Sequence, residues 1–260
     1  MKALGDILEQ EFERINSPDF IGSDPVQFPR RFSDLRDIEI VALLSAMIAW
    51  GNRKMICRDA ERLLDIMNHE PYLYMQSGDF ELLDDNRNIH RTFFARDLKY
   101  FLRGMRKIYG KFESLDALGA HINLKEESHP AWKLVEHIQI YMSEANEGRK
   151  NSQCFPSNLN TTALKRINMA LRWLVRDDGI VDLGVWKSLP KSKLYIPLDV
   201  HVGNVSRQLG LLKRKSNDRK AVEELTDVLR KFDPEDPVKY DFALFGIGIQ
   251  SSRKEQSAIN

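Results

Sequence analysis

The chain has only two cysteines in 260 residues, Cys57 and Cys154. That is too few for a disulfide framework or a four-thiolate cluster, and the wide separation excludes a Cys-x-x-Cys motif, so a reducing compartment is expected. No stretch of about 18 uninterrupted apolar residues occurs, which excludes an ordinary membrane-spanning helix. The opening residues MKALGDILEQEFERI intersperse charges with apolar positions instead of building the apolar core of a signal peptide. A cytoplasmic protein without a membrane partner is the expectation. Sustained period-two alternation is also missing, and Asp178-Gly179 marks a turn with no alternating strand on either side. No fixed-period repeat and no low-complexity tract is present. The six histidines form no His-x-His or His-x-x-x-His pair, so neither a metal nor a cofactor is expected.

What is present reads as a folded globular chain, with 42% hydrophobic and 30% charged residues supporting a substantial core. The net charge is +1, yet Thr161 to Lys231 holds 15 Lys and Arg against 8 Asp and Glu, leaving −6 elsewhere. This asymmetry permits a nucleic-acid partner without requiring one, because solvated helix faces are commonly rich in lysine.

Helical periodicity recurs along the whole length. Met1 to Ile15 is amphipathic, SPDFIGSDPVQFPRRFSD is a proline-rich connector, and Asp37 to Trp50 is too apolar all round for anything but a buried helix. Further helices are expected at Asn52 to Met67, Ala95 to Tyr109, His129 to Ala145, Thr162 to Val175, Asp199 to Leu209, Arg219 to Phe232 and Val238 to Ile249. The fold class is therefore all-α. The glycines at 246 and 248 read as a helix-end signal, not a nucleotide loop, since no strand precedes them.

Two positions carry chemistry. In IPLDVHVGNVSRQLGLL, Asp199 follows Pro197 and precedes apolar residues Val202, Val205 and Leu209 at helical spacing, which makes it a helix N-cap. The macrodipole and first-turn N–H groups hold an anion there, fixed beside whatever lies at the helix end. In TALKRINMALRWLVR, Lys165 stands in the first turn of its helix, where the field is unfavourable to a cation. Partial desolvation would make such an amine a usable nucleophile. Taken singly, each also reads as an ordinary cap and an ordinary surface lysine. His201, two residues past Asp199, reads as packing, and Trp50, Trp173 and Trp186 read mainly as core.

These segments resemble a known superfamily. KRINMAL, starting at Lys165, resembles the K-T-A-x-x-x-L run of the helix-hairpin-helix DNA glycosylases, which include endonuclease III and the 8-oxoguanine glycosylases. PLDVHVGNVSRQLGL resembles their P-V-D-T-H-V-x-R-V-x-x-R-L-G-L run, with Val200 in place of the threonine. LLSAMIAWGNRKMI, from Leu43 to Ile56, looks like the L-x-S-A-Q-T-x-D helix that opens the family's barrel, and FDPEDPVKYDFALFGIG matches its final helix in pattern. The ordered set spans most of residues 37 to 249 and is most similar to a remote bacterial branch of that superfamily. There are departures. The hairpin reads SNLNTTA with no glycine, the four-cysteine iron-sulfur motif is absent, and DDGIVDLGVWKSLPKSKLYI makes the connection to Asp199 longer than in endonuclease III. The archaeal 8-oxoguanine branch is longer there too.

The resemblance implies two helical lobes around a cleft, a barrel at 31–180 ending in a degenerate helix-hairpin-helix and a second lobe from 1–30 with 181–260. It implies a DNA repair glycosylase, with or without a lyase step, that takes double-stranded DNA with a damaged base, an 8-oxoguanine-type lesion foremost. Lys165 would attack the sugar and Asp199 would stabilise its developing positive charge. Without hairpin glycines, phosphate capture falls to Asn160, Thr161 and Thr162 and to Arg166, Arg172, Arg207, Lys213, Arg214 and Lys215. His90, Phe93, Phe94 and Trp50 are the candidates for the flipped-base pocket. The intervening insertion is expected to loop out, so that Lys165 and Asp199 converge. A monomer is expected. A catalytically silent DNA-binding relative and a helical adaptor without a nucleic-acid role are the alternatives.

Overall fold

Residues 35–47 carry apolar side chains on every face and form the central helix of the computed structural model, which describes residues 2–259 and the side chains of 2–250. This helix is the third in the chain, α3 (Leu35–Met47), and Asp34 caps it by accepting from the Arg36 amide at 2.8 Å. Before it lie α1 (Lys2–Ile15) and the short α2 (Pro18–Ile21), the latter within the expected connector. After it come α4 (Arg53–Ile66) and α5 (Pro71–Ser77), then a hairpin of β1 (Asn88–His90) and β2 (Phe93–Phe94). The chain continues through α6 (Ala95–Tyr109), α7 (Leu115–His121), α8 (Pro130–Ala145), α9 (Lys165–Val175), α10 (Val200–Gln208), α11 (Arg219–Leu229) and α12 (Tyr240–Ile259). That hairpin is the only sheet among the described residues, so the all-helical expectation holds.

Packing follows the apolar stripes. α3 lies on α5 and α9, α6 lies on α8, and α12 is sandwiched by α1 and α10. Within α3 the one acidic interior residue, Glu39, is fully buried and serves as a junction. It accepts hydrogen bonds from Tyr109 Oη at 2.9 Å, the Leu115 amide at 2.8 Å, the Asp116 amide at 3.0 Å and Trp186 Nε1 at 2.8 Å. Burial pushes its carboxyl up to about 7, while these four donors pull the other way by favouring the anion.

Three expectations need correction. α9 starts at Lys165, not Thr162, and no α-helix occupies residues 146–164, so the hairpin before it has no first helix. The insertion after α9 does not loop out. It folds back along α9, with the Leu183 amide on Trp173 O at 2.8 Å and the Trp186 amide on Leu174 O at 2.9 Å, and buries Val181, Asp182 and Trp186. Its apolar residues need a core, and Glu39 and Asp116 of α3 and α7 receive it.

The third concerns the glycines at 246 and 248, which lie inside α12 and do not end it. They permit close approach. A Cβ on Gly246 would stand 2.7 Å from Ile15 Cγ1 and 2.9 Å from Glu11 Oε2 on α1, and one on Gly248 would overlap the His201 ring. Gly246→Ala is therefore expected to wedge α1 from α12 and to cost about 1–3 kcal/mol, the usual penalty of overpacking. A thermal melt checks this, and an unchanged melting temperature would deny the contact.

Candidate functional site

The carbonyl end of α3 organises the site. The last carbonyls of a helix lack intrahelical partners and carry the negative end of its dipole, so they attract cationic and N–H donors. Here Arg166 Nη1 donates to Met47 O at 2.7 Å, and just past the helix Lys165 Nζ reaches Ala49 O at 3.5 Å and His90 Nε2 lies 3.1 Å from Trp50 O. The start of α9 is thereby docked on the end of α3.

Lys165 and Asp199, far apart in sequence, meet at this point. Nζ lies 4.0 Å from Asp199 Oδ2, and Asp199 Oδ1 caps α10 by accepting from the Val202 amide at 2.9 Å. The start of α10 is held from behind by a chain of contacts. Asn217 Nδ2 donates to Asp199 O at 3.0 Å, and Arg207 Nη2 donates to Asn217 Oδ1 at 2.6 Å. Gly203 leaves room for this, since a Cβ there would stand 2.6 Å from Asn217 Oδ1.

Two cavities meet at the pair, and both residues line both of them. The outer cavity, about 640 Å³, is bordered by Trp50, Arg166, Val200 and Asn217. The inner one, about 330 Å³, is walled by Phe20, Met169 and Phe245 and by the charged residues Asp24, Arg53, Arg172 and Asp241. Arg53 pairs with Asp24 at 3.4 Å and lies over the Phe245 ring, 4.6 Å from its centroid. Arg172 donates to Asp241 and, at 3.3 Å, to Asp182. Arg176 extends this buried network to Asp182 at 3.1 Å and Asp236 at 2.8 Å. Burial pushes Asp182 up to about 6 against the pull of both guanidinium groups.

Several expected site residues do other work. His90 is fully buried, with Nδ1 2.7 Å from Asp59 Oδ2, and Phe93 is fully buried in the core. Phe94 is half-buried beneath the Arg96 guanidinium. None of the three lines either cavity, and of the four pocket candidates only Trp50 does, at the outer one. Arg172 cannot face phosphate, because two carboxylates hold it inside. Arg207 is occupied by the loop before α11, donating to Arg214 O at 2.8 Å, and Arg214 is paired with Asp218 at 2.5 Å. Arg166 has its guanidinium on Met47 O and, at 3.1 Å, on Gln153 O.

The remaining candidates are more accessible. Asn160, Thr161, Lys213 and Lys215 are exposed, and Thr161 and Thr162 line a third cavity of about 290 Å³ at the start of α9. Leu164, which precedes Lys165, is buried with φ +48°. That left-handed conformation is strained for a leucine, and its side chain offers no oxygen to cap α9. Glu61 and Asp65 on α4 and His69 in the turn after it bring ligand-type atoms within 4.8 Å of one another, but Arg31 already donates to both Glu61 oxygens.

Sequence reasoning missed Phe20, Asp24, Arg53, Asp241 and Phe245. The available signals were local. Asp24 before Pro25 is a cap pattern, and Asp241 is the lone acid within the apolar opening of the last helix.

Fold and site together define an all-helical protein with a lysine and a carboxylate paired where two cavities join. The chain belongs to the family described as a protein of unknown function, DUF2400, which matches residues 24–250 and so takes in both members of the pair. No curated protein and no solved structure matches it. No described helix is long and apolar enough to cross a membrane.

Proposed function

We propose that the chain is a DNA repair glycosylase in which Lys165 and Asp199 act on one deoxyribose of a double-stranded substrate. The observation that carries this reading is the 4.0 Å approach of Lys165 Nζ to Asp199 Oδ2 at the junction of two cavities. The base, once flipped at a cost of about a few kcal/mol in unstacking, enters the inner cavity while the sugar lies against the two side chains. Asp199, fixed by its helix end, stabilises positive charge developing on the sugar. Lys165 donates its lone pair to C1′, the C1′–N bond breaks with its electrons leaving on the base, and a Schiff base with strand cleavage by elimination follows.

The inner cavity suits a neutral base better than a phosphate, because Arg53, Lys165 and Arg172 are balanced by Asp24, Asp199 and Asp241. Phe20, Met169 and Phe245 supply apolar and aromatic contact, and the carboxylates accept from N–H edges, which an 8-oxoguanine-type lesion offers. The association of α12 with α1 and α10, apart from the packing of α6 on α8, supports two lobes with the cavities between them.

A panel of duplexes carrying single damaged bases tests the assignment by base release. Release from one lesion class and not from undamaged DNA is expected. Duplex affinity should also fall on the order of tenfold or more between 50 and 200 mM salt, as a few exposed lysines such as Lys213 and Lys215 shed counterions. The missing first hairpin helix and the strained Leu164 favour a second reading, a DNA-binding relative without catalysis. Salt-sensitive binding with no release from any duplex would select it, and no binding even at low salt would leave the helical adaptor.

A further inference from the structure

The reaction assigned to Lys165 and Asp199 needs a proton acceptor. A lysine ammonium cannot attack C1′ until it loses a proton, and Asp199 is the wrong recipient, because once protonated it can no longer balance the charge developing on the sugar. Two further carboxylates line this cavity, and Asp24 is engaged by Arg53 at 3.4 Å and by the Val26 amide at 3.1 Å, which leaves Asp241. It stands in the first turn of α12, with Oδ2 held by Arg172, whose guanidinium is itself anchored by Asp182. No hydrogen bond from the described residues reaches its Oδ1, and the side chain keeps 15% of its surface accessible while lining the inner cavity.

We propose that Asp241 accepts, across the inner cavity, the proton that Lys165 must lose, an inference that rests on the glycosylase reading. The N–H bond of the ammonium breaks and its electron pair stays on Nζ, while the proton forms an O–H bond on Asp241. The amine pair then bonds C1′ as the glycosidic electrons leave on the base. Asp241 returns its proton to the departing base, so charge and protons balance. Arg172 acts by position, keeping one oxygen engaged and the carboxylate aimed into the cavity.

The surroundings suit the task. Facing Asp241 are Arg172 from α9 with Asp182 behind it, Lys165 and Asp199 at the helix starts, His201 from α10, and Asp24 with Arg53 from the segments flanking α3. Burial, together with the negative charges of Asp199 and Asp24, pushes the Asp241 carboxyl up to about 6, against the pull of Arg172 and Lys165. A base titrating near neutrality is well matched to proton transfer at physiological pH.

The test is the pH profile of borohydride trapping on an abasic-site duplex, with the full chain. In the wild type the trapping rate should rise through about pH 6 as Asp241 ionises, then level off. Asp241→Asn should lose that inflection and trap on the order of 100-fold more slowly at pH 7. Asp241→Glu should restore the inflection. An Asn variant with the wild-type rate and profile overturns the proposal. If the Asn variant does not fold, the wild-type profile decides, and absence of the inflection near pH 6 overturns it. A wild type that traps nothing overturns the glycosylase reading and this inference with it, whereas trapping without that inflection overturns this inference alone.

Discussion

Lys165→Gln is expected to abolish covalent trapping on abasic duplex while leaving the melting temperature within a degree or two of the wild type. The side chain makes one long hydrogen bond, to Ala49 O, and one ion pair at 4.0 Å, with 27% of its surface exposed. Partly exposed pairs of this kind add little to stability, about 0–1 kcal/mol, and glutamine keeps a donor for the carbonyl. The chemical loss is complete by contrast, because an amide nitrogen has no lone pair available to form a Schiff base. Full trapping by the variant would mean that another amine is the nucleophile.

Asp199→Asn should lower base excision about 100- to 1,000-fold, the range found when a preorganised electrostatic partner of the transition state is removed. The substitution isolates charge from structure. Asparagine caps helices as well as aspartate does, so its side-chain oxygen can still accept from the Val202 amide and α10 should form normally. Single-turnover excision measured beside a thermal melt separates the two effects. Equal rates in the two proteins would reduce Asp199 to a helix cap.

Local rules place each member of the pair at a helix start, and it was the resemblance to the glycosylase segments that joined them. Asp199 sits where an apolar approach becomes a helix and caps it, and Lys165 opens the amphipathic helix α9. What the sequence did not reveal depends on partners brought together from far along the chain. Arg172 looks like one more cation in a basic window, and only Asp182 and Asp241 turn it inward. His90 looks like a ring for a base pocket, but Asp59 and the Trp50 carbonyl just past α3 take both its nitrogens. The segment 177–190 looks like a loop by its glycines and proline, yet Val181 and Trp186 need a core, and the Glu39 carboxylate supplies a polar anchor that periodicity cannot announce. Asp24 and Phe20 were hidden in a proline-rich connector whose short turns carry them to the inner cavity. Charge counting over the Thr161 to Lys231 window does not distinguish free cations from paired ones, and many of its arginines are committed to carboxylates or carbonyls within the molecule.

The most direct measurement is to reduce the complex of the wild-type chain with a lesion-bearing duplex by borohydride, digest it, and locate the cross-linked residue by mass spectrometry. The sugar adduct is expected on Lys165, at the junction of the two cavities, with base release in the same sample. An adduct mapped to any other residue, or base-specific binding with no adduct and no release, would contradict the assignment of Lys165 and Asp199 as the reacting pair.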